Sequence, residues 1–296
     1  MKALLITLLL VFPAVSQAAS PEQDYLAARN AAVRKVAQSE KRKDSEEIQT
    51  KLHDAALADL EKRLRPIVGP VEIKGFSAIG KSNLSALSQG DIGYGALDAM
   101  VFRAADEKSS VMVTTTGLLK NWIKEHRNWW PGLENVPQDV EKVLQSDAFY
   151  TQALDSDAAY SRYVELPVAS PAGGFSFAVL GSRAQDIGPR APDQIIVAAI
   201  RGSRVFLVSA PASVTIEQVA ACQPVWDEAV RKARAASEKY VAGGRKDERL
   251  ATLSTKIEND GDAAYRACSG ERIKADARFS TLTAQAQALL DALPPK

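Results

Sequence analysis

Chemistry in this sequence could reside in one glycine-bounded loop, two histidines, two cysteines, a tryptophan-rich stretch and a few scattered acids. Gly75-Phe76-Ser77-Ala78-Ile79-Gly80-Lys81-Ser82 fits the P-loop pattern G-x-x-x-x-G-K-[ST] at every fixed position. In a P-loop the backbone amides wrap phosphates, the lysine neutralises charge and the hydroxyl holds magnesium. The surroundings argue against nucleotide binding. The stretch before it is short and begins after Pro70, and Ser82 to Gln89 could make barely two helical turns before Gly90. No later strand ends in the aspartate that would hold the metal. A strand followed by a surface loop is the expected structure, with no cofactor.

Metal and nucleophile chemistry have weaker signatures. The two histidines are His53, expected on an exposed helix face, and His126. Glu258-Asn259-Asp260-Gly261-Asp262 suggests a calcium loop, but the register that places Gly261 correctly puts Lys256 and Ala267 where carboxylates are needed. No metal site is predicted. The sequence has no G-x-S-x-G, and a histidine-dependent triad would have to use His126 beside Glu125.

Two surfaces remain. His126-Arg127-Asn128-Trp129-Trp130-Pro131-Gly132 places adjacent tryptophans in a polar stretch, where they could stack on sugar rings or dock a partner. His126, Arg127, Trp129 and Trp130 are therefore the candidate binding residues, although inward-folded rings covering a helix junction would use the same residue types. Asp91 and Asp98, around Gly90–Gly95, are candidate acids for an enzyme, or ordinary turn residues.

The elements that must position these groups are legible as three regions. Residues 20–66 read as an N-terminal helical segment, with Ser20 and Gln23 forming a capping box and Pro21 at the first helical position. No residue between Ala37 and Ile48 is apolar, so the helix breaks there or crosses solvent, and Pro66 is expected to end it. Residues 67–212 read as an α+β domain with a mostly antiparallel sheet. Strands are expected at 71–76, 97–103, 110–114, 160–168, 175–181, 194–201 and 204–210, and helices at 115–126 and 137–148.

Residues 213–296 return to helix. Val219, Cys222, Trp226, Ala229, Ala233, Ala236 and Tyr240 step by three and four, a coiled-coil-like seam, until Gly243-Gly244 breaks it and Asp247 caps a new helix. Leu250, Leu253, Ile257, Ala264 and Cys268 form the expected inner face of the returning helix. Folding the chain about residue 245 pairs Ala233 with Ile257, Ala229 with Gly261, Trp226 with Ala264, and Cys222 with Cys268. The glycines alone mark this fold point, and it brings the two cysteines together. A disulfide-locked helical hairpin is predicted, followed by a last helix over 277–293. The N-terminal helices need a partner for their own apolar stripe, so the two ends of the chain are expected to pack as a bundle around the sheet domain.

The first nineteen residues read as a signal peptide. Lys2 precedes an apolar run from Ala3 to Val15, and Ser16-Gln17-Ala18 offers small residues where a signal peptidase reads. The run is too short to cross a bilayer core needing about 20 residues, and Pro13 interrupts it. Cleavage near Ala18 or Ala19 predicts a periplasmic or secreted protein without a membrane span. Charge supports no attraction to nucleic acid or anionic lipid: 37 basic residues stand against 36 acidic ones. The expectation is a non-catalytic envelope protein that binds or scaffolds an envelope protein or polymer. The competing class is a hydrolase-like enzyme acting on an envelope polymer.

Overall fold

The computed structural model describes residues 20–78, 97–106, 108–126, 139–146, 149, 159–172, 174–184, 191–245 and 247–295. The expected leader at 1–19, Asp91, the end of the P-loop-like stretch from Ile79 to Ser82, and Arg127, Trp129 and Trp130 lie outside the described residues.

Among the described residues seven antiparallel strands form one sheet in the order β1-β2-β3-β7-β6-β5-β4. They are β1 (Phe76–Ala78), β2 (Met100–Ala104), β3 (Ser110–Thr115), β4 (Ala159–Glu165), β5 (Phe175–Ala184), β6 (Gln194–Arg201) and β7 (Arg204–Pro211). The central strands are apolar on both faces, as a sheet covered on both sides requires. Ile195, Val197, Ala199, Phe206 and Val208 point into one core, and Ile196, Ala198, Val205 and Leu207 into the other. Among the described residues two helices cover the second core: α3 (Thr116–His126) and the short α4 (Val140–Leu144). There the Trp122 ring meets Phe149 edge-on, with centroids 5.8 Å apart.

The two ends of the chain share the first core. Leu60, Leu64 and Val68 of α2 (Glu46–Val68) join Tyr265 and Ile273 of α6 (Glu248–Ala275) and Leu282, Ala286 and Leu290 of α7 (Phe279–Asp291). Helix α1 (Pro21–Lys41) opens with the expected capping box: Ser20 Oγ accepts from the Gln23 amide at 3.2 Å, and Gln23 Oε1 accepts from the Ser20 amide at 3.0 Å. The polar gap after Ala37 is a helix break, where Lys43 turns the chain with φ of 57°.

Several boundaries differ from expectation for identifiable reasons. Pro66 does not end its helix; α2 runs on to Val68 and stops at Gly69, whose φ is 76°. Proline removes one helical hydrogen bond in the last turn, while Leu64 and Val68 bury completely around it. The terminal carbonyl of Val68 accepts from Arg204 Nε at 2.9 Å. The strand expected at 71–76 is replaced by a turn in which the Phe76 amide reaches the Ile73 carbonyl at 3.0 Å, with Gly75 at φ of 86°. Pairing therefore starts only at Phe76. Helix does not begin at 213 either. A 3-10 turn over Glu217–Cys222 precedes α5 (Gln223–Ala242), which starts where Pro224 fits the first turn.

The hairpin forms in the expected register. Cys222 and Cys268 are bridged, with Cα atoms 5.9 Å apart. Ala229 faces Gly261 so closely that a Cβ on residue 261 would lie 2.2 Å from the Ala229 Cβ. Ser254 Oγ donates to the Ala233 carbonyl at 3.0 Å, one turn from Ile257. Gly244 and Arg245 turn the chain, with φ of 71° and 59°, and Asp247 caps α6 through the Arg249 amide at 3.1 Å. The expected inner face of α6 is partly wrong. Ala264 is exposed, Leu253 is 44% exposed and Trp226 is only half-buried. The helix packs against α5 along one side and against β4 along another, so its buried stripe shifts to Gly261, Asp262, Tyr265, Ser269, Gly270 and Ile273.

Gly270 is where α6 lies against the sheet: an added Cβ would sit 2.5 Å from the Tyr163 carbonyl oxygen. A glycine inside a helix ordinarily costs about 1 kcal/mol relative to alanine. Here the order should invert, because backbone would have to move on both sides and overpacking costs about 1–3 kcal/mol. Gly270→Ala is expected to lower the free energy of chemical unfolding by about 1–2 kcal/mol. A variant more stable than the parent would contradict the close approach.

Candidate functional site

Helix α1 carries Glu22, Tyr25 and Arg29 at spacings of three and four, so all three share one face. That face reaches the segment leading into β2 and both ends of α3. Glu22 accepts from the Thr115 hydroxyl and lies against Gly117 in the first turn of α3. A carboxylate there complements the helix N-terminus, and glycine at 117 leaves the space, since a Cβ would lie 2.1 Å from Glu22 Oε2. One turn further along, the Tyr25 hydroxyl donates to Asp98 Oδ1 at 2.8 Å. Arg29 then joins two carboxylates: Nη1 meets Asp98 Oδ2 at 2.5 Å, and Nη2 meets both Glu125 oxygens at 2.7 and 2.5 Å.

Asp98 is 2% exposed, so this acid is buried in the irregular segment that leads into β2 and is not an ordinary surface turn residue. The hydroxyl of Thr114 holds its carbonyl at 2.6 Å, fixing the backbone beside the carboxylate. Burial pushes the Asp98 carboxyl above its ordinary range, while Arg29 and the Tyr25 hydroxyl pull it back. Burial and the neighbouring Asp98 charge hold the Tyr25 phenol far above its ordinary value, so it remains a donor. The two carboxylates raise the Arg29 guanidinium against the opposing effect of burial. A buried charge is tolerated when it is paired and its lone pairs are filled. Each Asp98 carboxylate oxygen accepts one such hydrogen bond, Oδ1 from Tyr25 and Oδ2 from Arg29.

Of the candidate residues read from sequence that lie among the described residues, Asp98 is the one brought into a cluster. His126 ends α3, directly after Glu125. Tyr25, Arg29 and Glu22 belong to no sequence motif. Their only sequence signal is a shared helical face beside Leu26 and Val33, and nothing in the chain indicates which distant groups that face meets.

The remaining motifs resolve briefly. In a P-loop the strand precedes the first glycine, whereas β1 begins after Gly75 and runs through the variable positions. Glu258–Asp262 lies inside continuous helix α6 and forms no loop. His53 is not on an exposed face; its side chain is 18% exposed, and Nε2 is buried without a hydrogen-bond partner among the described residues. No three His, Cys, Asp or Glu side chains among the described residues are placed to hold a metal ion. The chain matches no known family profile, no curated protein and no solved structure.

Proposed function

We propose that this chain is an exported envelope protein that binds or scaffolds another envelope component without catalysing a reaction. The closed ionic cluster around Asp98 carries this reading. A hydrolase acting on a polymer needs a carboxyl free to exchange its proton with substrate. At Asp98 every oxygen is committed to Tyr25 or Arg29, and Arg29 is itself committed to Glu125. The cluster instead ties α1 to the sheet and to the end of α3. The contact surface assigned here is the stretch that follows immediately, with His126, Arg127, Trp129 and Trp130. The disulfide supports an oxidising compartment, reached through cleavage near Ala18 or Ala19. Among the described residues no helix is long and apolar enough to cross a membrane.

The test uses protein purified from the envelope and isolated peptidoglycan sacculi. Mass spectrometry should find the N-terminus at Ala19 or Ser20. The wild type should co-sediment with sacculi and release no soluble fragments. Trp129→Ala/Trp130→Ala should bind about tenfold more weakly, a loss of about 1.4 kcal/mol, with unchanged thermal stability. Fragment release by the wild type would replace this reading with the hydrolase. An intact Met1 on most molecules would remove the export.

A further inference from the structure

At the end of the sheet where β6 turns into β7, a second charged site stands apart from the Asp98 cluster. Arg201, 8% exposed, makes no ion pair among the described residues. Its Nη1 donates to the carbonyls of Phe175 and Ile200 at 2.9 and 3.1 Å, and its Nη2 donates to Ser176 Oγ at 3.2 Å. A guanidinium has five N–H donors. Nε–H and the second Nη2–H have no acceptor among the described residues, and they belong to the two nitrogens that together grip a carboxylate.

Arg201 lines a cavity of about 350 Å³ with Ser170, Pro171, Leu290, Asp291 and Pro295. Asp291 is the last residue of α7 and faces Arg201 electrostatically without reaching ion-pair distance. Its Oδ1 accepts from Gln287 Nε2 at 2.9 Å, which steadies it. The carbonyl end of α7 adds partial negative charge beside it. The lining thus carries one cationic and one anionic group, with proline and leucine among its other members. A simple anion would be repelled by Asp291, and a simple cation by Arg201.

We infer that this cavity binds a small zwitterion of the α-amino-acid type with an aliphatic side chain. Its carboxylate would take the open donors of Arg201, its ammonium would face Asp291 and the end of α7, and its side chain would lie on Leu290 and the prolines. The volume of about 350 Å³ leaves room for such a ligand. This site is independent of the proposed contact surface after α3, and neither reading depends on the other.

Isothermal titration of the full-length mature protein with L-leucine, N-acetyl-L-leucine and L-leucine amide tests the assignment. Leucine should bind in the micromolar to millimolar range. Removing either charge should weaken binding about tenfold, a difference of about 1.4 kcal/mol. Asp291→Asn, at an exposed position that leaves the sheet untouched, should weaken leucine about tenfold and leave N-acetyl-leucine unchanged. Arg201→Lys should weaken leucine and N-acetyl-leucine together. No heat of binding from folded wild type with leucine would overturn the inference. So would a leucine affinity indifferent to Asp291→Asn.

Discussion

Arg29→Met is expected to lower the unfolding free energy by about 3–5 kcal/mol at neutral pH, the cost of removing one partner from a buried ion pair. Methionine fills much of the space, so the loss is electrostatic. Asp98, 2% exposed, would keep its Tyr25 donor but lose the guanidinium at 2.5 Å. The sign of the pH dependence follows from Asp98. Its folded pKa already lies above the ordinary value of 3.8 and would rise further without Arg29. Between the unfolded and folded values the native state then binds more protons than the unfolded state, so stability falls as pH rises. The deficit of the variant should be smallest near and below 3.8 and grow toward neutrality. Urea unfolding of both proteins across that range checks it. A deficit that does not change with pH would mean that Asp98 is not the group left uncompensated.

Arg29→Met/Asp98→Asn separates the ion pair from packing. If the cost is an orphaned charge, the second substitution should recover part of the loss at neutral pH. Glu125 is about one-third exposed, so it can return to water and needs no rescue.

Losing the Cys222–Cys268 bridge is the second large effect. It closes a loop of 46 residues of sequence separation, which on the chain-entropy account contributes about 4 kcal/mol. For a chain of this size that amounts to a fall in Tm of roughly 10 °C. Cys222→Ala/Cys268→Ala should show it without leaving a lone thiol or burying a hydroxyl where Cys222 is fully enclosed. Reductant should lower the Tm of the wild type toward that of the double variant and leave the variant unmoved. Equal melting temperatures would show that the seam of Ala229, Ala233 and Gly261 holds the hairpin unaided. The position of the bridge gives it this weight. Cys222 ends the 3-10 turn that leaves the sheet, and Cys268 lies in the stretch of α6 packed on β4, so the bridge joins the base of the hairpin to the sheet.

The hairpin was legible because its determinants are local and periodic. Small residues repeat at helical spacing, two glycines mark the turn, and an antiparallel return then fixes which residues face each other. Strands β2 to β7 were legible for a similar reason: runs such as Ile195 to Ile200 are apolar and bounded by turn residues. The misses came where a tertiary contact outweighed a local signal. Pro66 is carried inside a helix because Leu64 and Val68 bury around it, and Ala264 faces solvent because α6 turns its stripe toward β4.

Neither charged site could have been read from the chain alone. Tyr25 and Arg29 meet Asp98 across 73 and 69 residues, and Arg29 meets Glu125 across 96. As isolated letters these are ordinary helix-surface and loop residues. Arg201 likewise reads as the last residue before a Gly202-Ser203 turn, and it gains a cavity only when α7 lays Leu290 and Asp291 beside it. Periodicity and capping record which face of an element is buried, and to that extent the sequence by itself determined the helices, the strands and the disulfide. Which charges lose water together depends on how separate elements stack, and only the tertiary structure decided that.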